Sequence, residues 1–290
     1  MLRYFIARVI LFWLRQKVAF DRAFSSRYAT FESAGTRLTY TDDGDGPVVV
    51  LVHGIIGDSS AWNDTVKRLR NRFRLLAIDY RGQGGSDIPG NPDAYGLQMV
   101  DDIAALLTHT GVSRACVIGA SAGAEMALRL AVSHPQMIDG LVLIGSGWSR
   151  EQEANNYRRA GESIETHGSL VPWIRETGGE GYFHTDPYGL AMADLMLRGK
   201  DLGALAATFR GMVDIINLSE AEIRAIDVPV LGICGEHDIE LPCLERMTGV
   251  VPDYTFKLLP GRGHMDTDED PDQAKAIDTF LEQHLAGADG

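Results

Sequence analysis

Residues 117–123 read Val-Ile-Gly-Ala-Ser-Ala-Gly: an apolar run, Ala115 to Ile118, breaks into Gly119-Ala120-Ser121-Ala122-Gly123 and then into the helix-like stretch Ala124 to Val132. A serine set between a buried strand and a helix needs a very tight turn. Small residues two before and two after it remove the clashes that such a turn would create. Ser121 is therefore the first candidate nucleophile. The pattern alone is weak, because 32 glycines and 14 serines in 290 residues would produce Gly-x-Ser-x-Gly by chance in roughly one such chain in six. Its surroundings have to decide.

Working outward, Tyr28 to Glu32 and Arg37 to Thr41 read as a hairpin. Solid apolar runs follow at Val48–Val52, Leu75–Ile78, Ala115–Ile118, Leu141–Ile144 and Val230–Ile233, with a weaker one at Thr255–Leu259. Unbroken runs of this length suit strands buried on both faces. Helical patterns lie between them at Ala61–Arg70, Tyr95–Thr110 and Ala124–Ser133, and a final helix is announced by Asp270 as cap and Pro271 in its first turn. Alternation at this spacing predicts an open, mostly parallel α/β sheet with helices on both faces. From Gly147 to about Asp227 no buried strand is credible, and Trp148, Tyr157, Trp173, Tyr182 and Phe209 fall among helical windows. A helical insertion over the strand ends is expected there.

A parallel sheet carries its reactive groups at the carboxyl ends of its strands. The first run is followed by His53-Gly54-Ile55-Ile56-Gly57, the third by Ser121, the fifth by Gly235-Glu236-His237-Asp238, and the last by Pro260-Gly261-Arg262-Gly263-His264. Serine, then acid, then histidine is the order used by one fold in particular.

On these motifs, together with Asp79-x-Arg-Gly-x-Gly-x-Ser86, the chain from about Tyr28 to His284 resembles the α/β-hydrolase superfamily with a cap domain. The resemblance implies a core of residues 28–147 and 228–290, a helical cap of residues 148–227, Asp238 as the acid, and the N–H groups of Ile55 and Ala122 as the oxyanion hole. Glu236, His237 and Glu240 lie in the same loop as Asp238 and compete with it for the acid's place; Glu236 would instead make a contact at the strand end, and Asp79 and Arg81 would serve the turn structurally. Ile56 and Trp148 are expected to line the substrate pocket. His53 reads as a structural histidine of its loop, and His184 and Asp186 as plain loop residues with a pocket role as the alternative.

The chemistry implied is acyl transfer. Ser121 attacks a carbonyl, His264 takes and returns its proton, and Asp238 holds the imidazole tautomer. A small or medium hydrophobic carboxylic ester or lactone fits, with no cofactor and no metal. Carbon–carbon hydrolases of ring-cleavage products and cofactor-free peroxidases share the triad and remain alternatives, as does a non-enzymatic receptor or scaffold. Epoxide hydrolases and haloalkane dehalogenases are disfavoured because they use aspartate where Ser121 stands.

A net charge of -13 argues against nucleic acid as a partner, which is held by clustered cations. The three cysteines, Cys116, Cys234 and Cys243, have no zinc-ligand spacing. They read as reduced, which favours the cytoplasm. Residues 1–27 depart from the rest, with Arg8, Arg15 and Arg22 on one face of a helical pattern and Phe5, Val9 and Phe12 on another. A basic amphipathic helix is expected there. Packing on the chain itself or on a homodimer mate is the first reading of it, and peripheral membrane contact or a targeting segment are the alternatives.

Overall fold

A computed structural model describes residues 27–177, 182 and 185–285. The helix expected over residues 1–27 lies outside the described residues except for Arg27, and His184 lies outside them too. The strands are β1 (Tyr28–Ser33), β2 (Thr36–Asp43), β3 (Val48–Val52), β4 (Arg74–Asp79), β5 (Ala115–Ala120), β6 (Ile138–Ile144), β7 (Val230–Gly235) and β8 (Tyr254–Leu259). They form one sheet in the order β1-β2-β4-β3-β5-β6-β7-β8. The β1 hairpin joins antiparallel, and every pairing from β4 to β8 is parallel.

The apolar runs are unbroken because alternate residues serve two cores. Val50, Val52, Leu76, Ile78 and Val117 point to one face, while Val49, Leu51, Leu75, Ala77, Cys116 and Ile118 point to the other. Helices α1 (Asn63–Leu69), α2 (Leu97–His109) and α3 (Ala122–Ser133) connect the first strands. Residues Met99, Ile103, Met126 and Leu130 of α2 and α3 cover the first face, and Val66 and Leu69 of α1 cover the second. The helix over Tyr95–Thr110 starts two residues later than its pattern, since Gly96 at φ +83° breaks the backbone just before Leu97.

Between β6 and β7 the chain forms α4 (Glu151–His167), α5 (Val171–Thr177), α6 (Pro187–Leu197), α7 (Leu202–Ile216) and α8 (Glu220–Arg224), with no strand among the described residues. This insertion has a core of its own, including Ile164, Trp173, Ile174, Leu205 and Phe209. It is tied to the sheet by Arg129 of α3, whose guanidinium donates to the carbonyls of Ile215 at 2.8 Å and Asp214 at 3.1 Å and also to that of Asn217. These carbonyls lie at the end of α7, where helical partners run out. After β7 come α9 (Leu241–Glu245) and α10 (Pro271–Leu285), and Ile277, Phe280 and Leu281 of α10 complete the second face.

The loop after β4 is held by buried polar groups. Asp79 accepts the N–H of Ser59 at 2.6 Å and of Gly85 at 2.8 Å, and Arg81 makes a two-pronged pair with Asp102 at 2.7 Å on each oxygen. Both partners of that pair are buried, and such a pair is costly to break from one side. Among the described residues, no helix is long and apolar enough to cross a membrane.

Candidate active site

Ser121 sits between β5 and α3 at φ +53° and ψ −124°, a conformation that is rare for a residue with a side chain. The neighbours make it possible. A Cβ on Gly119 would lie 2.1 Å from the carbonyl oxygen of Gly123, and one on Gly123 would lie 2.2 Å from that of Val52. The serine is thus carried at the carboxyl end of β5, in the middle of the sheet, by two positions that admit no side chain.

Three separate stretches meet here. The Nε2 of His264 is 3.0 Å from Ser121 Oγ, and its Nδ1 is 2.9 and 3.0 Å from the two oxygens of Asp238. With the proton on Nδ1 donated to Asp238, Nε2 is left to accept the serine hydrogen. Asp238 is buried, and its Oδ1 also accepts the N–H of Glu240 at 2.9 Å. Burial alone would push the His264 imidazole down, but the hydrogen bond and charge of Asp238, with Glu240 adding to them, leave it above its ordinary value. Glu236 instead accepts the N–H of Gly261 at 2.9 Å, a contact at the end of the last strand.

The loop after β3 runs along the same cavity. His53 is buried, stacks on Tyr80 at 4.2 Å between ring centroids, and donates through Nδ1 to the Gly54 carbonyl at 2.8 Å. Tyr80 donates to that same carbonyl at 3.0 Å. Together they fix the peptide that precedes Ile55. Among the described residues, no hydrogen bond engages the N–H of Ile55 or that of Ala122. Ala122 opens α3, where the helix dipole favours negative charge.

The cavity has a volume of about 350 Å³. Ser121 and His264 lie in its wall with Ile55, Ile56, Leu170, Trp173, Met196 and Phe209. Apolar side chains therefore come from both the strand ends and the insertion. Among the described residues, no lysine or arginine lines the cavity, whereas Glu153, Glu240 and Asp268 do.

Trp148 is not among the lining residues, contrary to the sequence expectation. Its backbone N–H donates to the Cys243 carbonyl at 3.0 Å and its indole N–H to the Leu218 carbonyl at 3.0 Å, which turns the ring into the core. Trp173 and Tyr182 face the cavity instead. Asp186 caps α6, accepting the Gly189 N–H at 2.7 Å.

A buried acidic pair beside His264 was not foreseen. Glu125 of α3 accepts hydrogen bonds from Ser149 and Tyr157 and lies 3.1 Å from Ser146 Oγ. Glu240 lies 3.3 Å from the same oxygen, 2.9 Å from Cys243 Sγ, and accepts from Tyr182. Burial, with the charge of Glu240 second, pushes the Glu125 carboxyl up to about 8. Burial raises Glu240 as well. The only sequence signal for Glu125 is an acid in the first turn of a largely apolar helix. Among the described residues, no group of three or more His, Cys, Asp or Glu side chains is arranged to hold a metal ion.

Comparison with known proteins agrees with this architecture. A family model described as the alpha/beta hydrolase fold matches residues 47–162. The chain is similar to a protein named putative carbamate hydrolase RutD from Caulobacter vibrioides, 29% identical over 252 residues that cover 81% of this chain and 90% of that one. Among solved structures it is similar to a thermophilic esterase from Thermogutta terrifontis (TM-score 0.73, 25% identity, 90% of this chain and 100% of that one). It is also similar to the enol-lactonase from Burkholderia xenovorans LB400 (TM-score 0.71, 24% identity, 87% and 99%).

Proposed function

The chain has the α/β-hydrolase fold, and on that premise we propose that it is a serine hydrolase of that superfamily, cleaving a small or medium hydrophobic carboxylic ester or lactone through an acyl-enzyme. The observation that carries the reading is the continuous hydrogen-bonded line from Ser121 through His264 to Asp238 in the wall of an apolar cavity.

In this mechanism Ser121 Oγ attacks the carbonyl carbon while its proton passes to His264 Nε2. Asp238 stabilises the imidazolium that results. The carbonyl oxygen becomes an oxyanion held by the N–H groups of Ile55 and Ala122, each worth on the order of 10²- to 10³-fold in rate. Collapse expels the alcohol, which takes the proton from His264. Water then attacks the acyl carbonyl as its proton passes to His264 Nε2, and collapse breaks the bond to Ser121 Oγ, which takes that proton back as the acid leaves.

The aliphatic wall of Ile55, Ile56, Leu170 and Met196 supports an apolar acyl or alcohol group, and the lack of a lining cation among the described residues disfavours a carboxylate-bearing substrate. A fluorophosphonate probe, followed by peptide mapping, tests the nucleophile, and p-nitrophenyl esters of increasing acyl length with a lactone panel test the substrate class. Labelling at Ser121 with turnover of short and medium esters is expected. An unlabelled Ser121 and an inert wild type across both panels would overturn the reading.

A further inference from the structure

Hydrogen counting at Ser146 decides how the buried acids are charged. Its single hydroxyl hydrogen faces Glu125 Oε1 at 3.1 Å and Glu240 Oε2 at 3.3 Å, so it can satisfy only one of them. The remaining neighbours cannot supply another. Ser149 and Tyr157 give their hydrogens to Glu125, and Cys243 and Tyr182 give theirs to Glu240. Two buried carboxylates facing one hydroxyl would also repel with nothing between them but an oxygen. The arrangement closes if one acid brings its own proton: its O–H donates to Ser146 Oγ, and Ser146 donates onward to the other.

We propose that Glu125 and Glu240 share one proton through Ser146, with Glu125 the protonated member, and that Glu240, so kept ionised, is a positioning residue that supplies His264 with a second anion beside Asp238.

The placement of the proton follows from what each acid faces. Glu240 is two residues beyond Asp238, donates its N–H to Asp238 Oδ1, and shares the cavity wall with His264. Tyr182 joins them, its hydroxyl on Glu240 and its ring edge-on to the imidazole at 4.9 Å. Glu125 faces only hydroxyl donors besides Glu240. The further carboxylate near the pair, Glu153 of α4, accepts the Arg150 N–H at 2.7 Å and lies 3.5 Å from the Arg246 guanidinium, which offsets its charge. On the loop of His264, Asp266 is engaged by the Gly263 N–H at 2.7 Å and lies 3.8 Å from Arg262. Burial and the charge of Glu240 also hold Glu125 protonated near neutral pH. When Ser121 gives its proton to His264 Nε2, the imidazolium then stands against two anions, and neither acid of the pair has to gain or lose a proton.

The catalytic consequence rests on the serine-hydrolase reading; the protonation pattern does not. The test therefore follows His264 itself, by NMR titration of protein labelled with [13C]histidine, with the signal assigned by its loss in His264→Ala. Glu240→Gln is expected to lower the His264 midpoint by about one pH unit, roughly tenfold in proton affinity. Glu125→Gln, whose amide can donate to Ser146 as the protonated acid does, is expected to leave it in place. An unmoved midpoint in Glu240→Gln, or an equal fall in Glu125→Gln, overturns the inference. Should circular dichroism show Glu240→Gln unfolded, Tyr182→Phe removes a donor that favours the Glu240 anion and keeps the ring. A lower midpoint is expected there too, and an unmoved one overturns the inference. Fluorophosphonate labelling of the wild-type sample separates the two claims, since an unreactive Ser121 sinks the hydrolase reading while the titration still decides this one.

Discussion

The backbone N–H of Ser121 donates to the carbonyl of Ile144 at 2.8 Å. The nucleophile's own peptide is thus the last rung between β5 and β6, where Ala120 pairs with Ile144. A turn with φ +53° at a serine persists because its frame is bonded to the sheet on that side and closely packed on the other.

That frame leaves no room at Gly123, where an added Cβ would meet the carbonyl oxygens of Val52 at 2.2 Å and His53 at 2.7 Å. Gly123→Ala should cost about 3 kcal/mol of stability and slow fluorophosphonate labelling of Ser121. Thermal melts and labelling rates check this, and a variant that matched the wild type in both would refute it.

Asp238→Asn keeps the size of the side chain but offers an amide N–H to His264 where a carboxylate accepted one. Turnover is expected to fall by roughly 10⁴-fold, with the fold retained by circular dichroism. Near-normal turnover would move the acid's role elsewhere.

The two tryptophans of the insertion should separate selectivity from stability. Trp173→Leu enlarges the cavity wall and is expected to shift the preferred p-nitrophenyl ester to a longer acyl chain. Trp148→Leu removes a buried ring and its bond to Leu218, and should cost about 2 kcal/mol with the acyl preference unchanged. A shifted preference in the Trp148 variant would contradict its placement.

Glu125 also sets a pH dependence of stability. Its carboxyl is pushed up to about 8 in the folded chain, against about 4.3 when unfolded, so between these values the folded state holds a proton that the unfolded state does not. The contribution is fully present below the lower value and is lost as pH rises toward the upper one, by about 1.4 kcal/mol per unit. Urea midpoints of the wild type should therefore decline from about pH 6 to about pH 8 more steeply than those of Glu125→Gln. Parallel declines would exclude the raised carboxyl.

The strands were legible because a strand buried on both faces needs consecutive apolar residues, as Val48–Val52 and Ala115–Ile118 show. The meeting of Ser121 and His264 with an acid from the loop after β7 could be anticipated because each follows a strand of the same sheet, while Asp238 was singled out from Glu236, His237 and Glu240 by the family resemblance alone. Trp148 was misplaced because an aromatic just past a strand end gives no sign of which way its ring turns; that is set by the bond of its indole N–H to the Leu218 carbonyl, far along the chain. The Glu125–Glu240 pair was invisible for a similar reason. It exists only because Ser146 at the end of β6 stands between α3 and the loop after β7.

The insertion is also the crossover between β6 and β7, which run parallel with Leu141 beside Val230. Parallel neighbours cannot be joined by a hairpin and need a connection of about a dozen residues or more. It follows that the wall bearing Leu170, Trp173 and Phe209 is exchangeable but not dispensable: a graft of other helices between the same two strands would redraw the chamber while Ser121, Asp238 and His264, all borne by the sheet, stayed in register. Such a chimera would inherit its chemistry from one parent and its appetite from the other.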